Sequence, residues 1–239
     1  MQLTSLPSIL LLVASILTPS LAIPTDQTIL SPSKESTTNS KSDRLDKVRH
    51  ALKKASIIPD IVDDFHPKCF ILPTYGHGKL AQAVFPGTKL KVSRTKERPS
   101  LRVYCPDMKS TTGLTIALTD PDAPSRGNPK WSEMCHWIAP VSEAVQLLES
   151  ASDFAPNFEF NINTEKVEDL IKYKAPGPPP GTGYHRYVFI LLEGSNTNLT
   201  LPETRQHWGT GKEGHGIRDW AKREGLVVVG GNYFEEKHN

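Results

Sequence analysis

The chain has 239 residues, of which 37% are hydrophobic and 23% charged, enough apolar sequence for one packed domain and an extra terminal segment. Its 20 prolines outnumber its 16 glycines and predict many loops and few long helices. A formal net charge of +2, without a concentrated run of Lys and Arg, argues against a nucleic-acid groove.

The first 22 residues have the pattern of a secretory signal peptide. Leu6–Leu17 is almost continuously apolar, and the small residues up to Ala22 favour cleavage after Ala22, although no Lys or Arg precedes the run. The alternative is a buried N-terminal element, and the run is too short to favour a membrane span. Residues 23–41 are rich in Ser, Thr, Pro and Lys and are predicted to be a disordered linker or pro-segment. We therefore expect a secreted protein with one domain over residues 42–239.

Secretion makes the cysteines and one sequon informative. Cys69, Cys105 and Cys135 allow at most one intramolecular disulfide, and the sequence does not settle which two cysteines form it. Asn198 begins an Asn-Leu-Thr sequon in a polar stretch and is a candidate glycosylation site.

Along the chain, a helix is predicted over Asp43–Ser56, and short apolar strings separated by turns follow from Cys69 onward. Two later helices are predicted over Ser142–Glu149 and Gly216–Glu224, and a last strand over Leu226–Val229. This spacing favours a mainly β sandwich over a βαβ sheet. The other predicted strands are Phe70–Tyr75, Leu101–Cys105, Leu114–Thr119, Met134–Ala139, Phe158–Ile162 and Tyr187–Glu193.

Asp120 closes the apolar run Leu114–Thr119, and Pro121 keeps it out of helical conformation. It is either a carboxylate at a pocket mouth or a turn aspartate that accepts hydrogen bonds from its own backbone. Asp122 and Arg126 are expected to hold this loop together, with help from Arg186.

Two histidines lie near the ends of predicted strands. Strand alternation places His136 on the face of Met134 and Ile138, where a lone histidine is usually a satisfied core residue. His185 lies between a run rich in Pro and Gly, residues 177–183, and the strand that begins at Tyr187. A histidine in that position can be held rigidly with one ring nitrogen facing a cavity.

Familiar catalytic and metal signals are weak. One Asp and two His show no short spacing of metal ligands, and no G-x-S-x-G elbow or serine beside either histidine indicates a hydrolase. We expect no metal and no cofactor. The residues alone thus indicate an anion-sized polar pocket in a secreted, β-rich domain.

Two segments resemble the signature regions of the phosphatidylethanolamine-binding protein family, also called the Raf kinase inhibitor protein family. They are LTDPDAPSR, residues 118–126, and GPPPGTGYHRYVF, residues 177–189. The resemblance extends from about Leu45 to Phe234 and includes the terminal segment IRDWAKREGL followed by GGNYF. It implies an antiparallel β-sandwich, with a large central sheet packed on a smaller one and a few peripheral helices.

The resemblance also implies a pocket for a phosphate-like or carboxylate-like anion, in which the two histidines are the candidates for any catalytic role. Imidazole nitrogens, a tyrosine hydroxyl and loop amides would donate to the oxygens of the anion. Met134 stands where many members carry an aromatic residue, and no long final helix follows, so we expect a wider and more open mouth. The implied pocket residues are Asp120, His136, Pro178, Pro179, His185 and Tyr187.

Three functions are compatible with this pattern. The first is a secreted binding protein for a small anion or an anionic lipid headgroup. The second is an accessory or catalytic role, beside a companion enzyme, in fungal maleic-anhydride polyketide (maleidride) biosynthesis, where the pocket would orient dicarboxylate or anhydride units for dimerising cyclisation. The third is inhibition of a serine carboxypeptidase, as in a yeast member of the family.

Overall fold

The computed structural model describes residues 39–141, 145–147 and 159–238. The predicted signal peptide and the linker up to residue 38 lie outside this part of the chain. The described residues form two β-sheets and a few helices, which confirms the mainly β class. The elements are α1 (Asn39–Lys54), β1 (Phe70–Tyr75), β2 (Gln82–Ala83), β3 (Thr88–Lys91), β4 (Ser100–Tyr104), β5 (Leu114–Asp120), β6 (Met134–Pro140), β7 (Val145–Leu147), β8 (Glu159–Ile162), β9 (His185–Glu193), α2 (Ile217–Arg223) and β10 (Val227–Lys237), with short 3-10 helices at Gly78–Leu80, Val92–Arg94, Thr164–Lys166 and His207–Gly209.

Each sheet has five strands, and the two differ in strand length. The large sheet has the order β3-β10-β9-β5-β6 and contains the longest strands, and the small sheet has the order β2-β1-β4-β8-β7. Neighbouring strands are antiparallel except for β3 and β10, which run parallel. The expected antiparallel sandwich is therefore confirmed with one parallel pair at an edge of the large sheet.

Apolar residues cover both faces of the large sheet, which explains why β5 is buried at all seven positions. On one face an inter-sheet core joins Trp137 and Phe189 to Phe160 of the small sheet. On the other face a helix-side core joins Val188 and Ile190 to residues of α1 and α2, among them Leu52 and Trp220. A strand covered on both faces reads as a continuous apolar run, as β5 does.

The predicted helix Ser142–Glu149 is wrong in its described part. Val145–Leu147 form β7, in which Val145 pairs with Ile162 of β8 and Leu147 with Phe160. Residues 142–144 and 148–149 lie outside the described part of the chain. A segment of three residues fits a helical period and a strand period equally well. Hydrogen bonding to the edge of β8 makes this segment a strand.

The last strand is much longer than predicted, because β10 runs through Gly230 and Gly231 to Lys237. A Cβ atom at Gly230 would lie 2.8 Å from the carbonyl oxygen of Cys69, and one at Gly231 would lie 3.1 Å from Leu52. These glycines allow two close contacts within a continuing strand and do not end it. Most other predicted elements agree with the structure to within about two residues, and α1 begins four residues earlier than predicted.

Cys69 and Cys105 form a disulfide between β1 and β4, and Cys135 is a buried free thiol. Asn198 is exposed in the loop after β9, where its glycosylation stays a prediction. Of the helices in residues 39–141, 145–147 and 159–238, none has the length and hydropathy of a membrane span.

Candidate functional site

Asp120 ends β5 and forms the turn, which is one of the two roles considered for it. Its Oδ1 accepts a hydrogen bond from the backbone N–H of Asp122 at 2.8 Å, which forms the turn. Its Oδ2 lies 2.9 Å from Nδ1 of His185, the first residue of β9. Two segments 65 residues apart therefore meet at one buried carboxyl group.

Asp122 holds the loop to β9, as predicted. Its Oδ2 accepts from the backbone N–H of Arg186 at 2.8 Å and from Nε at 2.9 Å, and its Oδ1 accepts from Nη2 at 2.7 Å. Arg126 lies farther away, with its Nε 3.9 Å from Oδ1 of Asp122. The Asp122–Arg186 pair is therefore the clamp, and Arg126 adds only a long ion pair.

The hydrogen bonds of His185 define its protonation. The Thr182 hydroxyl donates to the carbonyl oxygen of Pro179 at 2.7 Å, so Nε2 of His185, 3.0 Å from the same hydroxyl oxygen, must donate to it. A second proton lies between Nδ1 and Oδ2 of Asp120, because one of these two atoms must donate. Whichever atom carries that proton, the Asp120–His185 pair has no net charge.

His136 occupies a β-bulge, and the alternation predicted for its strand is wrong. Leu118 pairs with Trp137 and Thr119 with Cys135, so His136 is an extra residue in β6. The bulge shifts the phase of the strand, so that Cys135 packs in the helix-side core and Trp137 in the inter-sheet core.

His136 itself turns toward Tyr187 and meets the tyrosine ring edge-on, with ring centres 5.2 Å apart. Its Nδ1 donates to the carbonyl oxygen of Lys174 at 2.7 Å, since a carbonyl can only accept. Burial lowers the pKa of the ring and outweighs the opposing effect of the Asp120 charge. His136 is therefore a neutral imidazole at pH 7 whose Nε2 is an acceptor.

Tyr187 stacks between two other rings. Its ring lies nearly parallel to those of His185 and Phe234, with centres 6.4 and 5.2 Å away. Its hydroxyl oxygen accepts from the backbone N–H of Gly177 at 3.3 Å. Burial, and then the charge of Asp120, raises the pKa of the phenol far above its ordinary value, so this hydroxyl keeps its proton.

Four of the six predicted pocket residues form one group, called here the site cluster: Asp120, His136, His185 and Tyr187. The two prolines belong to the adjoining loop 177–183, where Pro178 is buried and Pro179 is exposed. Side chains of the site cluster are only 1–4% exposed, so the described residues close over the site, contrary to the expected open mouth. Two open cavities, of about 560 and 320 Å³, are lined by other residues.

Sequence reasoning missed Glu236, a fully buried carboxyl group that neighbours the site cluster. Its Cα pairs with that of His185 across β10 and β9. The hydroxyl of Thr95 donates to its Oε2 at 2.7 Å. The sequence did contain a signal for Glu236. Phe234 and Glu236 alternate with polar residues, which indicates that both face the core once β10 is recognised as continuing past its glycines.

No three Asp, Glu, His or Cys side chains are arranged to hold a metal ion within the described part of the chain.

A two-sheet sandwich whose Asp-Pro-Asp turn meets a histidine beneath a Pro- and Gly-rich loop defines the class of phosphatidylethanolamine-binding folds. The family model described as phosphatidylethanolamine-binding protein matches residues 79–234. The chain therefore belongs to the phosphatidylethanolamine-binding protein family.

Comparisons with individual proteins give the same family. The carboxypeptidase Y inhibitor of Saccharomyces cerevisiae is 30% identical over 207 residues, covering 76% of this chain and 91% of the inhibitor. Protein FLOWERING LOCUS T of Arabidopsis thaliana is 26% identical over 165 residues, covering 68% of this chain and 80% of that protein.

Solved structures agree with the observed fold. A crystal structure of carboxypeptidase Y inhibitor complexed with its cognate proteinase matches with a TM-score of 0.70 and 27% identity, covering 84% of this chain and all of the inhibitor chain. The phosphatidylethanolamine-binding protein from Plasmodium vivax matches in fold with a TM-score of 0.57 and 22% identity, over 80% of this chain and 98% of that one.

Proposed function

We propose that the chain is a non-catalytic binding protein that holds a small phosphate- or carboxylate-bearing ligand at the site cluster. The observation that carries this proposal is the 2.9 Å contact between Asp120 and His185 beneath loop 177–183. Burying a carboxyl group, two imidazoles and a phenol together costs free energy, and such clusters are characteristic of functional sites.

The proton positions favour binding over nucleophilic catalysis. Nε2 of His185 donates to the Thr182 hydroxyl and so cannot remove a proton from it. The same N–H becomes available to a ligand oxygen when Thr182 moves aside. Gly181 and Gly183 flank Thr182 with φ of +78° and +82°, a backbone that glycine adopts without cost.

Two cationic side chains act on His136, the other histidine of the site cluster. Lys174 and Arg205 both lower the pKa of His136 through their charge, so their positive potential reaches the site cluster. Arg205 is anchored there, because its Nη1 donates to the carbonyl oxygens of Cys135 and His136 at 3.0 and 3.2 Å. An incoming anion that replaces the Thr182 hydroxyl at His185 would also be attracted by these two cations.

Calorimetric titration with inorganic phosphate, phosphoethanolamine, sulfate and succinate tests this proposal. We expect saturable binding of at least one of them, its loss in His185→Ala, and a several-fold gain in Thr182→Val, which removes the hydroxyl that competes for the imidazole N–H. His66→Ala changes an exposed histidine and should leave binding unchanged. Absence of binding to the wild type at every pH, or equal binding in His185→Ala, would contradict the proposal.

A second candidate function is inhibition of a serine carboxypeptidase, favoured by the likeness to the carboxypeptidase Y inhibitor over 91% of its length. Hydrolysis of a peptide substrate by carboxypeptidase Y, measured with increasing amounts of this protein, tests it directly. Stoichiometric inhibition supports this function, and full activity at a large molar excess excludes it for that enzyme. Secretion, a lipid headgroup as ligand and a maleidride role beside a companion enzyme stay predictions that rest on sequence and resemblance.

A further inference from the structure

Glu236 carries a buried carboxyl oxygen that has no hydrogen-bond partner among the residues that the structure describes. The residue is 0% exposed, and Oε2 accepts the hydrogen bond from Thr95, whereas Oε1 is buried and receives no hydrogen bond from residues 39–141, 145–147 or 159–238. An unsatisfied buried carboxylate oxygen is costly, so the fold keeps this group at a price in stability.

The groups that face Glu236 cannot supply the missing hydrogen bond. The Tyr173 hydroxyl donates to the carbonyl oxygen of Thr95 at 2.8 Å, and the Tyr75 hydroxyl, 3.2 Å from that of Tyr173, must donate to it. Both phenolic protons are therefore committed. The lysines of β3 and β10, which are Lys89, Lys91 and Lys237, are all exposed. The titratable groups whose charges couple to Glu236 are Tyr75, Asp120, Tyr173, His185 and Tyr187.

The net charge of this buried region depends on Glu236 alone. The Asp120–His185 pair is neutral as a unit, as its hydrogen bonds require. His136 is neutral because burial lowers its pKa, and burial raises the pKa of all three phenols, which keeps them protonated. With Glu236 protonated the region has no charge, and with Glu236 ionised it has one negative charge.

The ionisation of Glu236 falls near neutral pH. Burial raises its pKa to about 7, and the charge of Asp120 acts in the same direction, against the hydrogen bond from Thr95 and the charge of His185. An anion at His185 would lie close to an ionised Glu236, in a region of low dielectric constant where repulsion between like charges is strong.

We propose that Glu236 couples anion binding at the site cluster to protonation, so that each anion bound is accompanied by one proton held on this carboxyl group. The inference rests on the proposed function and adds a condition to it: the anion is bound on the acidic side of neutrality. The proton removes the negative charge of Glu236 and with it the repulsion of the anion. Glu236 therefore affects binding without contact with the ligand.

Titration calorimetry with sulfate, whose charge is constant over the range used, tests the proposal. For the wild type we expect the association constant to fall roughly tenfold for each pH unit above Glu236's pKa of about 7. Glu236→Gln, a neutral mimic of the protonated acid, should bind as tightly as the wild type at pH 6 and keep that affinity at pH 8.5. Glu235→Gln changes the neighbouring, partly exposed acid of β10 and should retain the wild-type profile.

Proton uptake gives a second readout that a merely structural role would not change. At pH 7.5, titrations in two buffers of different ionisation enthalpy should show net uptake of protons by the wild type and much less by Glu236→Gln. Sulfate binding that is independent of pH, or a pH profile unchanged in Glu236→Gln, would overturn the coupling while leaving the binding function intact. Absence of sulfate binding at every pH would overturn the coupling. The proposed binding function would be contradicted as well only if phosphate, phosphoethanolamine and succinate also failed to bind.

Discussion

At the scale of single residues, each aspartate of the Asp120–Asp122 turn has a buried basic partner, and the two partners differ in one respect. The partner of Asp120 is a histidine, whose ring exists in a neutral form, whereas the partner of Asp122 is Arg186, whose guanidinium is always charged. The two aspartates should therefore respond differently to the same substitution.

Asp122→Asn leaves a buried guanidinium without its counter-charge and should lower the free energy of unfolding by about 3–5 kcal/mol. Asp120→Asn should cost roughly 1–2 kcal/mol, because His185 can become neutral and keep one hydrogen bond to the amide. Guanidinium-chloride unfolding of both variants measures the difference. If Asp120→Asn were as unstable as Asp122→Asn, the explanation that His185 becomes neutral in the variant would be wrong.

Glu133 makes stability depend on pH in an unusual direction. It is 1% exposed, and burial raises its pKa to about 8 in spite of hydrogen bonds from Thr119 and Ile217. When folding raises the pKa of a carboxyl group, that group contributes stability that is fully present at pH values below its unfolded pKa. This stability is lost as the pH rises through the folded pKa. Glu236 acts in the same direction up to about pH 7. His136, whose pKa is lowered, costs stability only below its unfolded value of 6.5.

We therefore expect the melting temperature to fall between pH 6.5 and 8.5, and to fall less in Glu133→Gln. Thermal melts followed by circular dichroism at the two pH values measure this slope. Glu168→Gln, at an exposed position, should keep the wild-type slope. A wild-type melting temperature that rises over this interval would contradict the assignment of Glu133 as a protonated acid.

The sequence predicted the four residues that form the site cluster, but not the buried acid beside them. Asp120, His185 and Tyr187 were identifiable because each borders a strand end and a motif. Glu236 and Thr95 belong to no motif, and they reach the site only through the pairing of β10 with β9 and through the loop after β3. The expected open mouth is not seen among the described residues, because the site cluster is at most 4% exposed.

At the scale of elements, the disulfide ties β1 to β4 next to the place where β1 approaches β10. Cys69 and Cys105 lie 36 residues apart, and a crosslink that closes a loop of this length stabilises a fold by about 3–4 kcal/mol through the unfolded state. Its position in the interior of the sandwich, with both cysteines fully buried, makes it a structural crosslink.

A Cys69→Ala/Cys105→Ala double variant should lose about 2–4 kcal/mol of unfolding free energy, measured by denaturation with guanidinium chloride. Reductant in the unfolding buffer should destabilise the wild type by a similar amount and leave the double variant unchanged. Cys135→Ala, at the free thiol, should keep the sensitivity to reductant. A wild type that does not respond to reductant when unfolded would contradict this role.

Elements were predicted correctly where their sequence pattern was long. Predictions were wrong where pairing with another strand determines the structure. β1 was predicted with its observed ends, because six apolar or β-branched residues lie between clear turns. β7 is only three residues long and depends on the edge of β8, and the bulge at His136 leaves no mark in the sequence. The length of β10 was underestimated because its two glycines resemble a strand end in the sequence. In the structure they allow close contacts with Cys69 and Leu52.

At the scale of the whole molecule, α1 is part of the domain, since its apolar face completes the helix-side core. Leu52 is fully buried against β10, and Arg49 and Lys53 both pair with Asp64 after the helix ends. Leu52→Ala should cost about 2–5 kcal/mol of unfolding free energy.

Leu45→Ala, at a half-buried position on the same helix, should cost less than about 1 kcal/mol. Chemical denaturation of the two variants measures the comparison. Equal costs would show that α1 does not pack as the core requires.

The most direct measurement concerns the shared site itself. Nuclear magnetic resonance of the histidine rings, recorded at pH 6 during a titration with sulfate, reports on His136 and His185 separately from the exposed His50, His66 and His77. Saturable shifts of both buried rings with a single dissociation constant, and none at the exposed rings, are expected if both histidines belong to one anion site. Shifts confined to the exposed histidines, or different dissociation constants for His136 and His185, would contradict a common site.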